Sequence, residues 1–269
     1  MADEEKTEQD FLKGIKDENL GVYSDLFSAK SGIDGQDGGV ATALLISGMK
    51  KGLFDSAIVV QRTSGYNAEA AIAENTQEIM AARGTKYLKI RTTPKLRELI
   101  DQGKKRIAIV GTPCEVRAAR KMEQNLKREA PDVEITIIGL FCLENFSHDK
   151  LKEETKRLLN VDIDKAEKTQ IRNGRFIVQL EGKEYSCRVK DLAKAVEKGC
   201  HYCNDFSAQF ADISVGSAGS QTGYSTVIVR SDVGKKLLED LDITKAAAQK
   251  EEIVKLSKFK KERARKAQV

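Results

Sequence analysis

Residues 105–141 constrain the fold more than any other part of the chain. Two continuous apolar segments, KRIAIVG (105–111) and EITIIGLF (134–141), flank an amphipathic stretch, CEVRAARKMEQNLKRE (114–129). Buried strands of this kind, separated by a crossover helix, are typical of neighbouring parallel strands in α/β proteins. The pattern therefore predicts a βαβ unit at the centre of the fold.

The flanking segments predict a sheet that is not wholly parallel. SAIVVQR (56–62) has the pattern of a buried strand, and EAAIAE (69–74) that of a second short strand. Further on, two alternating runs flank Asn173-Gly174, which is a hairpin signal. We therefore expect the α/β class, with a mixed sheet, flanking helices, an antiparallel hairpin excursion around 163–190 and a C-terminal helical tail.

Charge divides the chain into three expected parts: a charged lead-in (1–30), a main domain (31–240) and a basic helical tail (241–269). The whole net charge of +5 lies within residues 250–269, which hold eight basic and three acidic residues. Residues 1–249 together sum to zero, so the rest of the chain lacks the basic surplus that favours nucleic-acid binding. The tail fits a solvated terminal helix, or a contact with acidic lipid, RNA or a partner subunit.

Hydropathy predicts a soluble protein. No apolar run approaches the roughly 18–20 residues of a membrane span, and the start, MADEEKTEQD, is acidic where a signal peptide is basic and then apolar. We therefore expect a cytoplasmic protein without a transmembrane segment. The five cysteines of such a chain favour metal ligation or redox chemistry over disulfides.

Four of the five cysteines occupy positions from which they could bind one metal ion or cluster together. Cys114 and Cys142 each follow a strand of the βαβ unit, and Cys200 and Cys203 form a C-x-x-C pair. Four thiolates bind either structural zinc or an iron–sulfur cluster. A single C-x-x-C with two isolated strand-end cysteines favours the cluster over zinc. Cys187 lies within an alternating strand, so we expect it to be structural.

Three further segments have the composition of phosphate-binding or cofactor loops. GQDGG (35–39) precedes a predicted helix, SVGSAGSQTGYS (214–225) separates two strands, and GTKY (84–87) places a cation, a hydroxyl and an aromatic ring in one turn. None of them is the dinucleotide fingerprint G-x-G-x-x-G. Tight turns use the same residues, so each signal is weak by itself.

The motifs gain specificity from their order. Along the chain they are QDGGVATALL, GTKY, VGTPCEVRAARKM, GLFCLENF, GCHYCNDFSAQFADISVGSAGS and GYSTVIVRS. From about residue 31 to about 240, this series resembles the family of β subunits of coenzyme F(420)-reducing hydrogenase and formate dehydrogenase. The resemblance implies an oxidoreductase subunit with FAD and one 4Fe-4S cluster, whose substrate is the deazaflavin coenzyme F(420). It makes the main domain the catalytic, cofactor-binding part.

The resemblance also implies residue roles. The cluster ligands would be Cys114, Cys142, Cys200 and Cys203. The FAD-binding residues would be Gln36, Asp37, Gly38, Gly39, Thr42, Thr85, Lys86, Tyr87, Ser217, Gly219, Ser220 and Tyr224. No catalytic side chain is expected beyond the cofactors, because the flavin converts hydride transfer into single-electron transfer.

The expected partners are other subunits of a redox complex of the hydrogenase, formate dehydrogenase or heterodisulfide reductase type. No cysteine precedes Cys114, so we expect one cluster that passes its electrons to another protein. Two alternatives stay open: a zinc-stabilised four-cysteine binding or assembly module without turnover, and a related flavin enzyme that uses ferredoxin as its partner.

Overall fold

A computed structural model describes residues 2–268. Its strands are β1 (Ile15–Asp17), β2 (Gly21–Tyr23), β3 (Asp25–Ser31), β4 (Ser56–Arg62), β5 (Ala68–Ala73), β6 (Arg106–Gly111), β7 (Glu134–Leu140), β8 (Lys168–Arg172), β9 (Arg175–Leu180), β10 (Lys183–Arg188), β11 (Ile213–Gly216), β12 (Ser225–Val229) and β13 (Ile243–Ala246). Its helices are α1 (Ala2–Phe11), α2 (Val40–Lys50), α3 (Thr76–Ala81), α4 (Thr93–Asp101), α5 (Pro113–Glu129), α6 (His148–Leu159), α7 (Asp232–Leu238) and α8 (Lys250–Ala267), with short 3-10 helices at Ile163–Lys165, Val189–Ala195 and Lys198–His201.

The centre of the fold is an eight-stranded mixed sheet with the order β13-β3-β12-β11-β7-β6-β4-β5. Strands β4, β6, β7 and β11 are mutually parallel, and β5 and β12 run antiparallel to their neighbours β4 and β11. The predicted βαβ unit is confirmed, since β6 and β7 pair in parallel along their length on either side of α5. The predicted α/β class with a mixed sheet is confirmed as well.

The antiparallel excursion lies within the predicted range but has one strand more than the sequence indicated. It contains three strands in the order β10-β9-β8, joined by two tight turns. Asn173 and Gly174 form the first turn and Glu181 and Gly182 the second, all with positive φ between 51° and 70°. The pattern around Asn173-Gly174 revealed the first turn. The second, which has Glu181 in place of Asn, was missed.

The lead-in and the start of the tail contain structure that the sequence did not predict. Residues 2–30 include α1, β1, β2 and most of β3, and the start of the expected tail includes β13. Strand β3 lies within the central sheet, between β12 and β13, so the expected boundary at residue 30 falls inside a strand. Its short, partly polar sequence, DLFSAKS, is extended because chain-distant strands pair with it on both sides.

Helices cover both faces of the central sheet. On one face, α2, α3 and α7 contribute to an apolar cluster that includes Leu44, Ile79 and Leu237. On the other face, α4 and α5 pack against the parallel strands through Leu96 and Val116. A separate cluster joins α6 to the three-stranded sheet. No helix within residues 2–268 has the length and apolarity needed to cross a membrane.

Candidate functional site

The predicted site segments meet at one edge of the central sheet. The parallel strands β6, β7 and β11 end there, and β3 ends there too because both β3 and β11 are antiparallel to β12. Cys114 follows β6, Cys142 follows β7, the QDGG segment follows β3 and the GSAGS segment follows β11. Register pairs Gly111 with Gly139, which confirms that the strands carrying Cys114 and Cys142 are neighbours.

Cys114 lies in the first turn of α5 beside a lysine. The Lys89 Nζ donates to Cys114 Sγ at 3.2 Å and to Glu115 Oε1 at 2.7 Å. Glu115 is buried and also accepts the backbone N–H of Thr92 at 2.8 Å. Burial lowers the pKa of Lys89, but Glu115 and Cys114 more than compensate and raise it on balance. A cation is therefore held against the sulfur.

The other three cysteines lie on two loops joined by Asn145. The Asn145 backbone N–H donates to Cys200 Sγ at 3.4 Å, and its side-chain oxygen accepts from Cys142 Sγ at 3.7 Å. The Cys142 backbone N–H donates to the Phe206 carbonyl at 2.9 Å, which ties the first loop to the segment following Cys203. The strand-end loop and the C-x-x-C loop are thus fixed to each other.

The four sulfurs are close enough to influence one another's charge. Burial, together with repulsion from Cys200, Cys114 and Cys203, raises the pKa of Cys142 to about 12, although Lys260 lowers it. Burial also raises the pKa of Cys200. Four thiolates at this edge would repel, so they need a shared cationic ligand to be stable together. Among the described residues, no group of three or more His, Cys, Asp or Glu side chains could hold a single metal ion.

Two of the segments that the resemblance assigns to FAD meet beside the three-stranded sheet. Gln36 donates to the Thr169 carbonyl at 3.1 Å, and the Ile171 backbone N–H donates to the Tyr87 hydroxyl at 2.9 Å. Burial raises the pKa of Tyr87, with added repulsion from Tyr66 and Asp37. Gln36, Asp37 and Tyr87 therefore line one region next to β8.

Lys86 lies in the same region and lacks a counter-ion. Its Nζ donates to the carbonyls of Ala82 and Arg83 at the end of α3, and no carboxylate pairs with it in residues 2–268. Arg62, at the end of β4, likewise donates only to carbonyls, such as Ala166. Burial, with repulsion from Arg62, lowers the pKa of Lys86 to about 8. The two cations make a position at which an anion would be stabilised.

Gly38 and Gly39 form a compact turn before α2. Gly39 has φ 67°, and a Cβ there would lie 2.1 Å from the Ile33 carbonyl oxygen. A Cβ on Gly38 would lie 2.4 Å from the Ala29 carbonyl oxygen. The turn thus requires glycine and directs the first turn of α2, with the half-buried Thr42, toward the sheet edge.

The GSAGS segment is divided between internal contacts and the surface. Ser220 Oγ lies 2.7 Å from the hydroxyl oxygens of both Ser28 and Thr226. Gly219 packs against α8, where a Cβ would lie 2.7 Å from Ile253. Ser217 is exposed, as is Thr85, and Tyr224 is half-buried. Cys187 is buried in β10 within the core beside α6, and none of the other four cysteines is among the main influences on its pKa, which burial raises.

The basic tail is packed over the cysteine loops. Helix α8 buries Ile253, Ser257, Lys260 and Ala264. Arg263 donates to the Leu143 carbonyl at 2.7 Å and to the Cys200 carbonyl at 3.2 Å. The helix is therefore part of the site wall, and it is not a solvated terminal helix. Sequence reasoning missed this role, together with those of Lys89 and Asn145, although Asn145 lies inside the GLFCLENF motif.

Two family models match the chain and together cover most of it. Residues 26–96 match "Coenzyme F(420) hydrogenase/dehydrogenase, beta subunit N-term", and residues 104–255 match the corresponding C-terminal model. Both cysteine loops and all the candidate FAD segments fall inside the two matched ranges.

Individual relatives agree with the family match. The chain is 34% identical to a coenzyme F(420)-dependent sulfite reductase of Methanocaldococcus jannaschii, over 91% of this chain and 40% of that protein. It is 34% identical to one of the subunits of the F(420)H(2) dehydrogenase of Methanosarcina mazei, over 84% of this chain and 64% of that protein. The chain thus spans less than two thirds of the length of either relative.

A solved structure has the same fold. A chain from the F(420)-reducing [NiFe] hydrogenase complex of Methanosarcina barkeri superposes with a TM-score of 0.88 at 30% sequence identity. The match covers 94% of each chain.

Proposed function

The chain belongs to the family of coenzyme F(420) hydrogenase/dehydrogenase beta subunits, and from this premise we propose that it is the F(420)-oxidising or F(420)-reducing subunit of a redox complex. In this proposal the chain binds FAD and one 4Fe-4S cluster, exchanges a hydride with the deazaflavin, and exchanges single electrons with a partner subunit. Relatives named as subunits of F(420)-linked enzymes support the proposal.

The convergence of four cysteines at one sheet edge carries the proposal. The donor set fits an iron–sulfur cluster, because Cys114, Cys200 and Cys203 all lie within electrostatic reach of Cys142, and Cys187 is not among the main groups that act on it. A cluster gives each thiolate its own iron, whereas one zinc ion needs all four sulfurs about 2.3 Å from one point. Cys114, Cys142, Cys200 and Cys203 would hold the cluster.

The segments near β8 fit the phosphates of FAD. Lys86 and Arg62 repel each other and have no carboxylate partner in the described part of the chain. A pyrophosphate would supply the missing negative charge. We propose that the twelve residues carried over from the family line this FAD site.

When bound, FAD accepts two electrons as a hydride and releases them singly to a cluster. The chain's own residues would bind and orient the two cofactors. Lys86 and Arg62 would neutralise phosphate charge, and Tyr87 is fixed by its hydrogen bond from Ile171. Asn145 ties the loops of Cys142 and Cys200 together. No acid–base side chain is required, because the hydride carries both electrons.

Cofactor analysis tests the proposal. Protein purified without oxygen should contain about one FAD, four iron atoms and four acid-labile sulfides per chain, as a 4Fe-4S flavoprotein requires. One zinc ion per chain without sulfide would favour the binding-module alternative. Turnover with ferredoxin in place of a partner subunit would favour the second alternative, a related flavin enzyme that uses ferredoxin as its partner.

A Lys86→Met variant should bind FAD about 10- to 100-fold more weakly near pH 7, since a charge-assisted hydrogen bond contributes about 1.5–3 kcal/mol. The pKa of Lys86 is lowered to about 8 by burial and by Arg62, and a bound phosphate would raise it. Wild-type affinity should therefore be highest below about pH 8 and fall above it, while the variant should show a flat profile.

Flavin-fluorescence titration of FAD-depleted protein across this pH range measures both effects. Lys95→Met is the matched control, because Lys95 pairs with Glu98 on the surface of α4. Equal FAD affinity in wild type and Lys86→Met, at every pH, would contradict a phosphate contact by Lys86.

A further inference from the structure

Lys260 is a buried cation without a counter-ion. The residue is 1% exposed, and its Nζ donates to the Cys142 carbonyl oxygen. No carboxylate pairs with it in residues 2–268. A buried ammonium without an opposite charge costs several kcal/mol, so chains rarely keep one unless something compensates it.

Two other cations beside the cysteines have carboxylate partners. Lys89 is paired with Glu115 at 2.7 Å, and Arg263 is paired with Glu144. Their charges are therefore largely cancelled within the protein. Lys260 is the exception in this group, which indicates that its compensating charge is not a protein carboxylate.

Lys260 lies within electrostatic reach of two of the four sulfurs. Its charge acts on the thiols of both Cys142 and Cys200, where it favours the thiolate form. Ser257, one turn earlier on α8, is buried, and its hydroxyl has no hydrogen-bond partner among the described residues. A serine hydroxyl is neutral and cannot balance the charge of Lys260. The negative charge nearest Lys260 would therefore come from the cysteine thiolates and whatever they bind.

We propose that Lys260 is the counter-charge of the iron–sulfur cluster and raises its reduction potential. The inference rests on the proposed function, since it presumes the cluster. Reduction adds one electron to a group that already carries net negative charge, and a cation nearby in a low-dielectric site favours that step. The step transfers one electron from the donor to the cluster and breaks no bond. The basic tail thereby tunes electron transfer as well as completing the fold.

The test is a redox titration of the anaerobic holoprotein, with dithionite as electron donor and the cluster followed by electron paramagnetic resonance. Lys260→Met keeps the length of the side chain and removes its charge. We expect the equilibrium constant for one-electron reduction to fall at least tenfold, a shift of about 59 mV to lower potential. Lys258→Met, an exposed lysine on the same helix, should leave the potential unchanged.

Each outcome decides the inference. An unchanged potential in a loaded, folded Lys260→Met protein overturns it, as does an equal shift in Lys258→Met. If the Lys260→Met protein loses its cluster, the Lys260→Arg variant decides the question. A Lys260→Arg protein that holds the cluster at the wild-type potential supports the need for a positive charge. A Lys260→Arg protein that also lacks the cluster shows that the shape of the side chain matters and not its charge. A wild-type protein without iron and sulfide would instead refute the proposed function.

Discussion

Replacing Cys203 with serine is expected to remove the iron–sulfur cluster and reduce electron transfer to one-electron acceptors to background. Cys203 lies on the C-x-x-C loop that hydrogen bonds join to the loop of Cys142 through Phe206 and Asn145. Loss of outer contacts to a metal site typically costs 10- to 100-fold, and loss of a ligand costs more. FAD content should stay near wild type, because the proposed flavin segments do not include this loop.

Cys187→Ala is the matched control. Cys187 is the fifth cysteine and is buried among apolar residues between β10 and α6, so its removal should leave iron, sulfide and electron transfer intact. Iron and acid-labile sulfide assays, with reduction of a one-electron dye, measure the two variants. Retention of the full cluster in Cys203→Ser would show that Cys203 is not a ligand.

Replacing Arg120 with methionine is expected to lower the free energy of unfolding by about 3–5 kcal/mol, the usual cost of stranding a buried carboxylate. Arg120 is 2% exposed, and its guanidinium lies 3.1 Å from Asp212 Oδ1. Asp212 in turn accepts the Ile137 backbone N–H at 2.8 Å and the Ser231 hydroxyl at 2.6 Å. This network joins α5 to β7 and to the start of α7.

Urea unfolding of the holoprotein, followed by circular dichroism, measures the change. Lys121→Met on the exposed side of α5 should shift the midpoint little. Adding Asp212→Asn to Arg120→Met should recover part of the loss, since the stranded charge is then removed. A loss below about 1 kcal/mol for Arg120→Met would contradict this account of the network.

Local patterns were enough to predict the βαβ unit and the placement of two cysteines. Continuous apolar runs at 105–111 and 134–141 predicted buried strands, and a single crossover predicted that they are neighbours with Cys114 and Cys142 at the same sheet edge, which the parallel pairing of β6 and β7 confirms. The C-x-x-C pair was recognisable in the sequence as a ligand motif. That Asn145 connects its loop to Cys142 could be seen only in the structure.

Long-range pairing explains what the sequence concealed. Strand β3 is extended because β12 and β13 flank it, although more than 190 residues separate it from either. The tail has a surplus of basic residues, which suggested solvent, yet Lys260 and Arg263 point at cysteine-loop carbonyls. Charge composition alone cannot distinguish a helix that faces water from one that faces a site requiring positive charge.

The candidate FAD residues stay a prediction at the level of individual contacts. The family motifs selected the QDGG and GTKY segments, and the structure brings Gln36 and Tyr87 to the same strand, β8. The Ser220 hydroxyl, by contrast, is hydrogen-bonded to the hydroxyls of Ser28 and Thr226. The unpaired cations Lys86 and Arg62 could not have been recognised from sequence, because the absence of a counter-ion is a property of the fold.

The most direct test of the proposed function is an absorption spectrum of anaerobically purified protein before and after addition of the reduced deazaflavin coenzyme. The account predicts flavin bands over a broad iron–sulfur shoulder, both bleaching on addition as electrons pass from F(420) to FAD and then to the cluster. A colourless, zinc-containing protein, or cofactor bands that reduced F(420) does not bleach, would contradict it.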